Sequence, residues 1–147
     1  MAAANVKNSL SSMALPEKLI DTEHRARGFD LDVQVEPGQV VQVAEVMDRE
    51  KFFLEAVTGV DWIADGQYEV LYHYARHMEQ YRVVVRARIP RETPDIPTIS
   101  TIFPSADWHE RETHDFFGIN FQGHPYLVPL LLPEDADFHP LRKDYKG

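Results

Sequence analysis

Residues 108–125 read W-H-E-R-E-T-H-D-F-F-G-I-N-F-Q-G-H-P and gather more side chains able to do chemistry than any other part of the chain. Glu110, Glu112 and Asp115 lie beside His109 and His114, a composition able to move protons to and from a substrate. The same residues invite a metal reading. Zinc proteases, however, place two His four residues apart on one helical face, whereas His109 and His114 are five apart and diverge. His124 and His139 can join Asp115 only through folding, and no spacing demands it. Serines are few, none sits in a nucleophile elbow, and no Gly-rich phosphate loop occurs. Cysteine is absent, which removes disulfides, a thiol nucleophile and cysteine ligation of zinc or iron–sulfur clusters. Two readings remain, a proton-transfer cluster and a charge network that holds a loop or a subunit interface. The network is the simpler account, so no catalytic and no metal residue is assigned.

The element that must position these groups is a helix over residues 105–117. Ser105 or Asp107 can cap its start, acidic residues crowd its first turns, and Gly118 stands where a helix stops. Arg111 and Asp115 are four apart, as are Glu110 and His114, so each pair can meet side by side. Trp108 and Glu112 share a face with Asp115 and Phe116. A Trp beside two carboxylates suggests an ionic network around an aromatic anchor, as found in active sites and in permanent interfaces.

The 147 residues are 44% hydrophobic, enough for one domain with a core. A net charge of -9 argues against a nucleic-acid partner. No apolar run is long enough to span a bilayer, the N-terminus makes a poor signal peptide, and an intracellular protein is the simplest inference. Alternation at Phe29, Leu31, Val33 and Val35 predicts a strand, and Pro37-Gly38 followed by 40–43 predicts its hairpin partner. A short helix is expected before them, from Pro16 through Leu19 and Ile20 to Gly28. Asp48 looks like the cap of a helix carrying Phe52, Phe53, Ala56, Val57 and Val60, closed by Gly59. Asp65-Gly66 marks a hairpin into a strand with Tyr68, Val70, Tyr72 and Tyr74 on its core face. The next strand sets Tyr81, Val83, Val85, Ala87 and Ile89 inward and Arg82, Arg86 and Arg88 toward water or acidic neighbours. Residues 99–103 can form one more short strand. The expected class is α+β, a small mixed or mostly antiparallel sheet with helices on one face and an extended C-terminal tail. Residues 1–12 are expected to be disordered or held by a partner, 13–123 to form the domain, and 124–147 to form the tail.

That tail carries Pro125, Pro129, Pro133 and Pro140, which forbid a long helix, yet 127–132 is strongly apolar. A chain this greasy must lie on its own domain or on a partner, and the small domain favours a partner at least in part.

The run 110–125, with L-L-L-P-E-D at 130–135 and P-L-R-K-D-Y at 140–145, resembles the signature of the 30-kilodalton subunit of respiratory complex I, also called its C subunit. G-V-D-W at 59–62 and Y-E-V-L-Y at 68–72 are similar to that family as well, so the resemblance covers residues 40–145. It implies a small α+β subunit of the hydrophilic arm of a membrane-bound NADH:quinone oxidoreductase. The tail would cross the large 49-kilodalton-type subunit, a relative of the hydrogenase large subunit, near the quinone end of the electron path. It further implies that this chain carries no cofactor, the iron–sulfur clusters, flavin and quinone belonging to partner subunits. Iron–sulfur subunits of the arm are the other partners, and membrane association is indirect. The place implied is the cytoplasmic face of the cell membrane, or the matrix side in a mitochondrion. The residues expected to meet the partner are Trp108, Glu110, Arg111, Glu112, Asp115, His124, Pro125, Leu130, Leu131, Leu141, Arg142, Lys143, Asp144 and Tyr145. One departure stands out. The family pattern continues after His-Pro with an acidic residue, Leu and two Arg, whereas this chain has Tyr126, Leu127, Val128 and Pro129. Energy-converting membrane-bound hydrogenases contain a similar subunit, with a nickel–iron centre in its partner, and remain the alternative. A free-standing acid–base enzyme is a further, less favoured one.

Overall fold

The computed structural model describes residues 2–147. In chain order the elements are α1 (Ala2–Ser11), β1 (Ala14–Asp21), α2 (His24–Arg27), β2 (Leu31–Val35), α3 (Val40–Arg49), β3 (Phe53–Trp62), β4 (Gln67–Arg76), β5 (Tyr81–Pro90), β6 (Asp95–Pro97), α4 (Ala106–Phe117) and β7 (Asn120–Gln122). Five strands form one sheet in the order β1-β2-β5-β4-β3, antiparallel except for the β2–β5 pair. Strands β6 and β7 make a separate parallel pair. This is the α+β, mostly antiparallel class that the sequence predicts.

Alternation decides which face of the sheet is core. Leu31, Val33 and Val35, then Val83, Val85, Ala87 and Ile89, then Tyr68, Val70, Tyr72 and Tyr74 are all buried in one cluster. Val6 and Leu10 of α1, Val43 and Met47 of α3, and Ala106 and Phe117 of α4 complete it, so the helices share that face. On the opposite face the arginines meet acidic neighbours, as their alternation suggests. Arg86 grips Asp32 through two nitrogens at 2.7 and 2.9 Å, and Arg88 and Arg86 both reach Glu69.

Several local expectations give way to tertiary structure. Residues 40–43 are not a hairpin strand but open α3, where Val40, Val43, Ala44 and Met47 fall on one buried helical face. Asp48 caps nothing; it lies in the last turn of α3, which closes with Lys51 at φ 64 and the Phe52 N–H on the Met47 carbonyl at 2.9 Å. Residues 53–62 are strand β3, not a helix. Leu19 and Ile20 lie on strand β1, and only the one-turn α2 precedes Gly28, whose φ of 83 ends it. Residues 99–103 are a turn in which the Ile102 and Phe103 N–H groups return to the Ile99 carbonyl. Residues 2–11, expected to lack order unless held by a partner, form α1 with Val6 and Leu10 fully buried.

Candidate partner interface

Helix α4 lies against β3, and one glycine sets how closely. A Cβ on Gly59 would stand 2.7 Å from the Phe117 ring and 3.2 Å from the Thr113 methyl. Phe117 uses that space to meet Tyr68 edge-on, with ring centroids 5.9 Å apart. Thr113 donates back to the His109 carbonyl at 2.9 Å. Glu110 sits on this inner side with no exposed surface, accepting from Thr98 Oγ1 at 2.5 Å and from the Ile99 N–H at 3.3 Å. Burial disfavours its charged form more than these bonds favour it, and raises its pKa from 4.5 to about 7. Gly118, at φ 79, ends the helix with its N–H on the His114 carbonyl, the stop expected from its position. Ser105 makes no side-chain cap bond.

The two i,i+4 pairs expected on α4 bond elsewhere. Arg111 donates to the carbonyls of Val128 and Pro129 at 3.1 and 3.0 Å and lies over the Tyr126 ring. One oxygen of Asp115 accepts the successive N–H groups of Leu130, Leu131 and Leu132 at 2.8, 2.7 and 3.2 Å. A cation thus serves consecutive carbonyls and an anion the next N–H groups, pinning the apolar run to the helix. His114 bonds the Ile119 carbonyl instead of Glu110. His124 accepts the Tyr126 N–H at Nδ1, which leaves its proton on Nε2 facing Asp107. Buried Glu110, outward Glu112 and tail-bound Asp115 therefore point in three directions, not into one proton-transfer site. Among the described residues no group of three metal-capable side chains comes together.

Further along, residues 124–147 contain no helix or strand and continue across the end of α4. The Leu141 N–H meets the Phe116 carbonyl, Arg142 Nε the Phe117 carbonyl at 2.8 Å, and His139 Nδ1 the Asp115 carbonyl at 2.8 Å. The final anchor involves two residues that sequence reasoning missed. Asp61, buried in β3, takes both Arg91 nitrogens at 2.9 and 3.0 Å and the Lys143 N–H at 2.8 Å. Arg91 lies over Tyr68 and also reaches Asp144 at 3.0 Å, holding that carboxyl below its usual pKa. The available signal was a charged residue at a core-facing position of a strand.

The expected partner-facing residues divide accordingly. Glu110, Arg111, Asp115, His124, Arg142 and Asp144 are engaged within the chain, as is the backbone of Lys143. Trp108 is 69% exposed, Leu131 61% and Leu141 53%, with Leu130 and Glu112 half-buried, Pro125 exposed, and Tyr145 exposed but stacked on Phe138.

Residues 33–147 match the family described as respiratory-chain NADH dehydrogenase, 30 kDa subunit, and the chain belongs to that family. It is 39% identical over 136 residues to the C subunit of the NADH-quinone oxidoreductase of Roseiflexus castenholzii, an overlap of 89% of this chain and 77% of the relative. The C subunit of the F(420)H(2) dehydrogenase of Methanosarcina mazei is 35% identical, over 91% of this chain and 84% of that one. Among solved structures, a chain of the membrane-bound sulfane sulfur reductase, an archaeal respiratory membrane complex, superposes with a TM-score of 0.80 at 26% identity, covering 98% of this chain and 85% of that one. A trypsin-resistant fragment of Nqo5 gives 0.64 at 25% identity, over 86% of this chain and the whole of the fragment. This is a 30-kilodalton-type subunit of a membrane-bound respiratory complex, complex I or one related to it.

Proposed function

We propose that this chain is a non-catalytic structural subunit of the hydrophilic arm of an NADH:quinone oxidoreductase. It docks through α4 and the tail onto the large 49-kilodalton-type subunit near the quinone end of the electron path. The observation that carries this reading is an apolar surface held rigidly in water. Trp108, Leu131 and Leu141 stay exposed although Arg111, Asp115 and Arg142 fix the backbone around them. Apolar groups displayed on an ordered frame mark an interface more than a loose tail does. The relatives that are named as NADH-quinone oxidoreductase subunits support the choice of complex. Iron–sulfur clusters, flavin and quinone are assigned to partner subunits, and the chain to a peripheral place on the cytoplasmic side. No helix among the described residues is long and apolar enough to cross a membrane.

The test is an affinity pull-down of the tagged chain from its native membranes after mild detergent extraction, with mass spectrometry of what it retains. Expected are a 49-kilodalton-type subunit, iron–sulfur subunits, membrane subunits and an NADH-oxidising flavin subunit. A nickel-binding large subunit in place of the flavin subunit would move the chain to a hydrogenase complex. Recovery of the chain alone as a stable monomer would sink the subunit reading.

A further inference from the structure

Between the exposed Trp108 and the pinned tail lies a groove of about 610 Å³, walled by Trp108, Leu130 and Leu131 and edged by His109 and Glu112. We infer that this groove receives a bulky apolar side chain from a partner segment that carries Arg or Lys beside it. The inference rests on the docking reading above and specifies the chemistry of what docks.

Three observations carry it. The first is that the groove is built. Its tail wall cannot drift, because the Leu130 and Leu131 N–H groups are both held on the Asp115 carboxylate and the preceding carbonyls on Arg111. The second is composition. An indole 69% in water opposite a leucine 61% in water leaves a large apolar area bare, and Trp is over-represented among the residues that dominate interface energy. The third is charge. Glu112, the one carboxylate that lines the groove, makes no ion pair among the described residues. The cation on the same helix is already committed, since Arg111 serves the tail carbonyls. His124 is turned to Asp107. An apolar slot edged by the unpaired Glu112 carboxylate, on a chain of net charge -9, selects an apolar anchor flanked by cations and repels acidic segments. It also disfavours a second copy of this chain, which would bring its own Glu112 and net charge of -9 to the same face.

The experiment replaces Trp108 with a photoreactive benzophenone amino acid in the full chain, expressed in its native membranes, and irradiates before extraction. The expected adduct joins position 108 to another subunit, on a peptide with about two or more Arg or Lys within roughly one helical turn of the crosslink. In parallel, Glu112→Lys is expected to lower partner recovery about fivefold at physiological salt and Glu112→Gln about twofold, as charge complementarity at a rim requires. An adduct to lipid, to a second copy of this chain, or to a segment without basic residues would overturn the inference. So would the absence of any adduct while the chain still co-purifies with its complex. If the chain instead purifies alone, the docking reading itself has failed, and this inference with it.

Discussion

Glu110 is the carboxyl whose chemistry departs furthest from its ordinary behaviour. Its carboxyl has no exposed surface and titrates near 7 instead of 4.5, chiefly because burial penalises the anion. Between those values the folded chain keeps a proton that the unfolded chain releases. The resulting stabilisation is complete below the unfolded value and is lost as pH rises through about 7. Over the range pH 5 to pH 8 it amounts to roughly 2–3 kcal/mol. In urea titrations, Glu110→Gln should therefore gain stability relative to wild type by about that amount between pH 5 and pH 8. A difference that stays flat across this range would mean an ordinary carboxyl. The sequence singled out Glu110, Arg111, His114 and Asp115 on this helix, but their side chains take other partners. Spacing of four makes Arg111–Asp115 and Glu110–His114 neighbours, yet a neighbour on a helix surface competes with whatever packs on it. Here the tail offers Arg111 two carbonyls and Asp115 three N–H groups. Bonds formed with a segment fifteen or more residues away are invisible to a rule of local spacing.

At the scale of elements, the seat of α4 on β3 depends on the missing side chain at Gly59. Gly59→Ala pushes a methyl to within 2.7 Å of the Phe117 ring, a buried aromatic that cannot swing aside without leaving Tyr68. The expected cost is about 1–3 kcal/mol by denaturant unfolding, with Tyr68 and Phe117 shifts in NMR spectra locating the strain. An unchanged midpoint would show that α4 gives way freely. The reason β3 was read as a helix is physical. A bulge between Leu54 and Ala56 interrupts the ladder, so the buried positions run Leu54 then Val57, a step of three where a regular strand steps by two. That step imitates helical spacing. The strand predicted at the start of α3 reflects the β-branched valines at 40, 41 and 43, whereas Val40 and Val43 share a buried helical face with Ala44 and Met47. Strands β2, β4 and β5 and helix α4, whose periods run unbroken, were legible throughout.

At the scale of the whole molecule, the tail ends on a buried ionic lock. Asp61→Ala removes the buried acceptor shared by Arg91 and the Lys143 N–H, leaving a largely buried guanidinium with only the exposed Asp144. The expected loss is roughly 3 kcal/mol. Trypsin should then cut after Arg142 and Lys143 about tenfold faster than in wild type, because the end of the tail opens without global unfolding. Unchanged cleavage would mean that Asp61 does not hold it. The class of the domain and the place of helix α4 were readable from alternation and from 108–125, whereas this lock was not. It ties together residues 82 positions apart. That separation sets a timetable for a chain made from one end to the other. When the ribosome has completed β3 with Asp61 and even α4 with Phe117, the segment that closes over them has not been polymerised. At ordinary elongation rates the remaining stretch takes roughly 1–5 s. For that interval the nascent domain has its sheet but neither its clasp nor the finished groove beside Trp108. The groove wall and the clasp are thus completed only once residues 128–143 have been made, and a product cut short before them lacks both.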